Sequence, residues 1–512
     1  MHKRVFSVFL CLWLALMALG APVRAAGNAP QYVTAETALV IAQAWANTIL
    51  AGQGSWGGAA QAQAGQPQEM HRGARLLGYY IPILPQGYVL VPLRTELAPV
   101  KAYSDTGKVD IASDTGLADL LKIGLERPLN AIETRAGPVA QAATADVLPL
   151  LEVSYNSLWQ ALADPLGPQA PLNYASGGVM TPTSWDQGDP YWDNDPAGDG
   201  GTTVVGCVAT AAAQIMAYWA WPPYGTSSHS YTWNGDQSCG GDVGGSTRSA
   251  TFSDIYDWPN MSNRYVWDGG QARWEDQNGD PLDAADLAAA AELSYEAGVA
   301  VDMDYGHCES GTNTYLYQNA YADYFRYTDV VTRVDRDSYN AADWFTLVKG
   351  NLNLNEPIHY RVEGHSIVAD GWRETGTPVV RQYHMNYGWD DGNNTWWTED
   401  ALLYGGLSQE YMLLGIYPVT SLGNTLSGTY TRDAAFPYRY FNRDASGSAA
   451  TFNSGQYLQF LPGVRVTATN WMRFDSTSSS STHLFTRGDA SKGIRLLGGS
   501  LVLYTNGRVR LP

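Results

Sequence analysis

Gly201-Thr202-Thr203-Val204-Val205-Gly206-Cys207-Val208-Ala209-Thr210-Ala211-Ala212-Ala213-Gln214-Ile215-Met216-Ala217-Tyr218-Trp219-Ala220-Trp221-Pro222-Pro223 is the stretch whose reading decides the rest of the chain. A loop rich in Gly and Thr runs into a single cysteine, and an apolar helix follows at once. Val208, Ala211, Ala212, Ile215 and Trp219 recur at helical spacing. The opposite side is mostly Ala and Met, so the helix is expected to be buried all round, with Pro222 and Pro223 stopping it. Cys207 therefore sits at a helix start, where free N–H groups and the helix dipole favour a thiolate, the form that attacks carbonyls. A small buried core thiol, or half of a disulfide, is the competing reading.

Outward from that stretch, the chain has 512 residues, enough for two to four domains. Its 18 Trp, 32 Tyr and 53 Gly with only 16% charged residues describe a folded, loop-rich, aromatic-rich protein rather than a disordered one. A formal net charge of −19 makes nucleic acid and anionic membranes poor partners.

Residues 1–26 read as a secretory signal: His2-Lys3-Arg4, an apolar run over 5–21, then small-residue cleavage sites around Ala25 and Ala26. The run is a little short for an anchor and no second span follows, so no membrane span is expected once the signal is removed. Cys207, Cys239 and Cys308 then remain. An odd count in an exported chain points to a free thiol, and the economical pairing is Cys239 with Cys308. The absence of C-x-x-C argues against a zinc ribbon or a thioredoxin-type site.

In chain order, residues 33–50 pattern as an amphipathic helix capped by Thr34, with Ala38, Ile41, Ala42, Trp45 and Ile49 on one face. Short apolar runs at 76–84, 88–93 and 101–103 are separated by turns such as Pro85-Gln86-Gly87, giving a small α+β unit of about 100 residues. The Ala/Pro-rich stretch 136–149 reads as a weakly structured linker. Helices are expected over 287–299, with Gly298 in a fraying end, and over 341–352. Strands are expected over 358–370, 379–386 and 411–417, and helices early with a sheet later describe an α+β domain over 172–420. Beyond residue 425 short alternating strands predict a small all-β module.

A cysteine nucleophile needs an imidazole to take its proton and later protonate the leaving group. His365, in Gly364-His365-Ser366-Ile367-Val368-Ala369-Asp370-Gly371, stands at a strand start. In Tyr383-His384-Met385-Asn386-Tyr387-Gly388-Trp389, alternation puts His384 and Asn386 on one face; Asn386 is expected to orient an imidazole and Trp389 to screen it from water. Gln187, 20 residues before Cys207 in Trp185-Asp186-Gln187-Gly188, is a candidate to join the Cys207 N–H in holding an oxyanion. Asp193, Asp195 and Asp199 hint at a calcium loop, but their spacing does not fit an EF-hand.

The central region resembles the streptopain family of papain-like cysteine peptidases. Four blocks carry the resemblance: Trp185-Asp186-Gln187-Gly188; Gly206-Cys207-Val208-Ala209-Thr210-Ala211 through Gln214-Ile215-Met216; Val301-Asp302-Met303-Asp304-Tyr305-Gly306; and Gly364-His365 with Asn386-Tyr387-Gly388-Trp389. Tyr256-Asp257-Trp258-Pro259-Asn260-Met261 is a weaker fifth. The resemblance implies a papain-like α+β catalytic domain, with Cys207 as nucleophile, His365 as general acid/base, Gln187 as oxyanion donor, and Asn386 and Trp389 supporting the histidine. Tyr387 stands where the family has Trp, and His307-Cys308-Glu309-Ser310-Gly311 replaces a small Ser/Gly-rich loop beside the cleft. Family members are zymogens. The implied organisation is a signal at 1–26, an inhibitory propeptide at 27–150, a processing region at 151–171, the peptidase domain at 172–420 and a β-rich module at 425–512.

The expectation is thus a secreted or cell-surface cysteine endopeptidase that needs no metal or cofactor. Its partners are protein or peptide substrates and its own propeptide as intramolecular inhibitor. An idle peptidase scaffold serving as an extracellular adhesin or glycan binder is the alternative, motivated by the many aromatic residues and the β module. Serine and zinc hydrolases are disfavoured because neither G-x-S-x-G nor H-E-x-x-H occurs.

Overall fold

The structure, a computed structural model, describes residues 31–164, 172–222, 224–403 and 410–418, together with the backbone of strands between 425 and 510. The expected signal segment lies outside the described residues, as does 165–171 of the expected processing region. Among the described residues no helix is long and apolar enough to cross a membrane.

One antiparallel sheet runs through the N-terminal unit and the central region. Its strands lie in the order Arg75–Leu84, Tyr88–Pro92, Ala102–Ser104, Thr395–Thr398, Val380–Asn386, His365–Thr375, Ile358–Val362, Tyr411–Leu414 and Thr332–Asp335. Tyr174–Val179 pairs with the second half of His365–Thr375. The join between the two units is the pairing of Tyr103 with Trp396 and of Ala102 with Trp397. Side chains reinforce it: the Tyr103 and Trp396 rings stack with centroids 6.3 Å apart, and Tyr88 Oη lies 2.8 Å from Thr395 Oγ1. Lys101 Nζ, buried, donates to Asp400 Oδ1 at 2.6 Å.

The helices follow from local chemistry. Ala35–Gln53 starts after Thr34, whose hydroxyl accepts the Thr37 N–H at 3.3 Å, and buries the five expected apolar residues together with Ala46. Asp283 and Asp286 form a reciprocal capping box for Ala284–Val299. In this helix Gly298 is a packing residue rather than a fraying one. A Cβ there would stand 2.2 Å from the Tyr305 hydroxyl, which donates to the Tyr295 carbonyl at 3.1 Å. Cys207–Trp219 is buried on nearly every side and packs against the His365–Thr375 strand and Ala284–Val299.

Two expectations need correction, and one helix was not expected. The single strand expected over 358–370 is a hairpin, Ile358–Val362 and His365–Thr375, turned at Gly364 with φ 74°. The stretch 136–149 is no loose linker. Arg94, fully buried and paired with Glu96 at 2.6 Å, donates to the carbonyls of Val139 and Ala142 at 2.7 and 2.8 Å and pins the segment to the N-terminal unit. Gly116–Ala136 is a helix the sequence reading omits; it buries Leu117, Leu121, Leu125, Leu129 and Ile132 and accommodates Pro128. The described residues between 425 and 510 form strands in two sheets, as expected for an all-β segment.

Candidate active site

Two elements meet at the site. Gly206, with φ 87°, turns the chain into the helix; a Cβ there would stand 2.8 Å from the Met303 sulfur, so neither the backbone angle nor the space admits another residue. Cys207 is the first helical residue, a free and half-buried thiol. Its sulfur accepts the Ser366 N–H at 3.4 Å, which seats it against the first residues of the neighbouring strand. His365 is the first residue of that strand and only 5% exposed.

The imidazole is held by the segment after the next strand. His365 Nε2 lies 2.8 Å from the Tyr387 carbonyl oxygen. A carbonyl only accepts, so Nε2 carries the proton of the neutral ring and Nδ1 is left as the base. Trp389 stacks on the ring with centroids 4.0 Å apart and planes 21° apart, and the Tyr387 ring lies nearly parallel to both.

Asn386 does not bond the imidazole as expected. Its Nδ2 donates to the Thr183 carbonyl at 2.7 Å and to Gln214 Oε1 at 2.9 Å, and its Oδ1 accepts from Gln214 Nε2 at 3.1 Å and from the Gly388 N–H at 3.1 Å. A buried amide must satisfy donors and acceptor together, and Gln214 on the Cys207 helix supplies both. Asn386 thereby ties the helix to the turn carrying Tyr387 and Trp389. The orienting group is the adjacent backbone carbonyl, which sequence reading missed because a carbonyl has no residue signature. Gln214 was legible, since a polar side chain in an otherwise apolar helix demands a buried partner. His384 is occupied elsewhere, 2.6 Å from Asp370 Oδ1.

Gln187 is brought to the loop that leads into the helix: its carbonyl accepts the Val205 N–H at 3.0 Å, two residues before Cys207. Among the described residues its side-chain amide has no hydrogen-bond partner. Asp199, from the suspected calcium loop, accepts the N–H groups of Cys239 and Gly241 at 2.9 and 2.8 Å and so holds a hairpin tip. The sulfurs of Cys239 and Cys308 are bonded to each other, leaving Cys207 free.

Burial sets the electrostatics. It pushes the Cys207 thiol up, against the opposing Ser366 N–H. It pulls the His365 imidazole down to about 4, although the Tyr387 carbonyl favours the charged ring. In this conformation the pair is a neutral thiol and a neutral imidazole. The thiolate expected from the helix start is outweighed by desolvation. The turn at Gly107-Lys108 of the N-terminal unit reaches this region, with the Lys108 N–H donating to the Gly392 carbonyl at 3.2 Å.

The chain is similar in sequence to known proteins. Residues 185–397 match the model of the Peptidase C10 family. Streptopain of Streptococcus pyogenes is 24% identical over 355 residues, covering 67% of this chain and 80% of that protein. The thiol protease/hemagglutinin PrtT of Porphyromonas gingivalis is 25% identical over 230 residues, 44% of this chain and 24% of that one. A prointerpain A fragment of Prevotella intermedia superposes with a TM-score of 0.47 at 21% identity, covering 69% of this chain and 98% of the fragment. The family match spans the segments that carry Gln187, Cys207, His365 and Trp389, and over these residues the chain is similar to the streptopain-like cysteine peptidases of the peptidase C10 family.

Proposed function

We propose that this chain is the secreted zymogen of a cysteine endopeptidase in which Cys207 is the nucleophile and His365 the general acid/base. The observation that carries the reading is the pairing at the helix start: a free thiol seated on the strand that begins with His365, whose Nε2 is anchored and whose Nδ1 is open. Nδ1 takes the thiol proton as sulfur attacks the peptide carbonyl. The tetrahedral oxyanion accepts hydrogen bonds from the Cys207 N–H and the Gln187 amide, an effect worth about 3 kcal/mol per donor. The imidazolium then protonates the leaving amine, a thioester remains, and water activated by Nδ1 releases the acid. Trp389 keeps water from the Nε2–carbonyl bond through these steps. No metal or cofactor has a step in this scheme.

The N-terminal unit, 27–150, acts as the inhibitory propeptide. Supporting this are its continuous strand pairing with the catalytic sheet, its buried Lys101–Asp400 pair, and the neutral state of Cys207 and His365. Release of the unit rehydrates the site, lowers the thiol and raises the imidazole toward a thiolate–imidazolium pair.

The test is incubation of the purified full chain under mild reductant, wild type beside Cys207→Ala, followed by mass spectrometry. Loss of about 110–145 N-terminal residues by the wild type alone supports self-processing and locates its site. A Cys207→Ala chain that shortens at the same rate in the absence of other proteases refutes Cys207 as the nucleophile.

A further inference from the structure

The hairpin formed by Ser228–Asp236 and Val243–Thr251 stands beside the loop that leads into Cys207. Its first strand ends on Asp236, which is 2% exposed. The Asp236 carboxylate accepts three backbone N–H groups: Ser238 at 2.8 Å, Asp199 at 2.9 Å and His307 at 2.8 Å. They belong to three segments, the hairpin tip, the approach to the nucleophile, and the loop after Tyr305. Gly198 and Gly306 leave room for the carboxylate; a Cβ at either would stand 2.2 or 2.9 Å from its oxygens. The Cys239–Cys308 disulfide closes the same assembly, and the Cys308 N–H donates to Ser238 Oγ at 3.0 Å.

Contacts lead from this knot to the nucleophile at every second residue. His307 Nδ1 lies 2.7 Å from the Thr202 carbonyl oxygen. Val204 donates its N–H to the Gly306 carbonyl at 3.0 Å and accepts from Ser310 Oγ at 2.6 Å. The Ser310 Cβ would stand 3.1 Å from a Cβ on Gly206. The next peptide unit, Gly206–Cys207, carries the N–H aimed at the oxyanion.

We infer that Asp236, locked in place by the Cys239–Cys308 disulfide, is a positioning residue that sets the plane of the Gly206–Cys207 peptide and thereby aims the oxyanion-binding N–H. The inference rests on the reading of that N–H as an oxyanion donor. The thiol is held separately, by the buried helix and by Ser366. An Asn at 236 has one acceptor oxygen and an amide NH2, while both carboxylate oxygens face N–H donors, so either orientation sets donor against donor.

The experiment compares wild type, Asp236→Asn and the double variant Cys239→Ser/Cys308→Ser, made as full chains and activated alike. A monothiol reductant is used at a level that leaves the wild-type disulfide intact by mass. Two rates are read: turnover of an internally quenched peptide, as kcat and KM, and alkylation of Cys207 by iodoacetamide, which needs the thiol but no oxyanion donor. Misplacing the donor is expected to lower kcat about 10- to 100-fold, with KM within about threefold and alkylation within about twofold. Variants that fold and keep kcat within about twofold of wild type overturn the inference, as does alkylation that slows in step with kcat. If Asp236→Asn does not fold, the double variant decides by the same criteria. A wild type that is alkylated but cleaves no peptide overturns the oxyanion reading and the inference with it.

Discussion

Lowering the pH of the intact chain from about 7.5 to about 5 tests the electrostatics of the site most directly, with Cys207→Ala present to prevent processing. Burial holds His365 down to about 4 against an ordinary 6.5, with Arg361 adding to the depression and only the Tyr387 carbonyl opposing it. That depression corresponds to about 3 kcal/mol against charging the ring in the folded chain. At pH 5, His365 is then protonated in about one molecule in eleven, whereas an ordinary histidine is about 97% protonated. The unfolded chain binds the proton as pH falls through about 6.5, and the folded chain does so only near 4. Stability is therefore full above that window and falls through it, by about 2 kcal/mol at pH 5 from this residue alone. His359, buried and pulled down to about 3, adds a loss of the same sign, so the variant that isolates the effect is His365→Gln. The assay is a carbon-13 histidine NMR titration, in which the resonance missing from His365→Gln is followed, with urea midpoints at both pH values. A His365 midpoint above about pH 6, or an equal loss of stability with and without His365, would refute the desolvated, neutral site.

Trp389→Ala removes the ring stacked on His365 and opens the Nε2–Tyr387 bond to water. kcat/KM should fall about tenfold, the equivalent of one aromatic contact, while the His365 resonance moves toward its ordinary range. Gly298→Ala drives a methyl to 2.2 Å from the Tyr305 hydroxyl and should lower stability by about 2 kcal/mol in a urea titration, with activity at saturating substrate preserved. Lys101→Met leaves Asp400 with Arg127 at 4.0 Å as its remaining ion-pair partner among the described residues. Breaking a buried pair costs about 3 kcal/mol, so the N-terminal unit should release earlier, seen as faster self-processing or a lower urea midpoint in the Cys207→Ala background.

By itself the sequence pointed to most of the elements and to candidate chemistry-bearing residues. Periodicity placed the helix that starts at Cys207 and the helix Ala341–Leu352, and parity of the cysteines pointed to a free thiol among three. Such signals are local: a side chain repeats at 3.6 or 2 residues because one face of its own element is buried. Tertiary structure alone decided what those residues touch. Asn386, expected on the imidazole, is consumed by Gln214 from a helix 172 positions away, and a nameless carbonyl at Tyr387 takes its place. Cys207, expected as a thiolate, is held neutral because burial outweighs the helix start. The segment 136–149, expected to be loose, is gripped by Arg94. In each case the deciding quantity is a hydrogen-bond partner or a loss of water supplied by residues distant in the chain. Propensity and spacing carry no record of either, because desolvation and satisfaction of polar groups are properties of the packed neighbourhood and not of the segment.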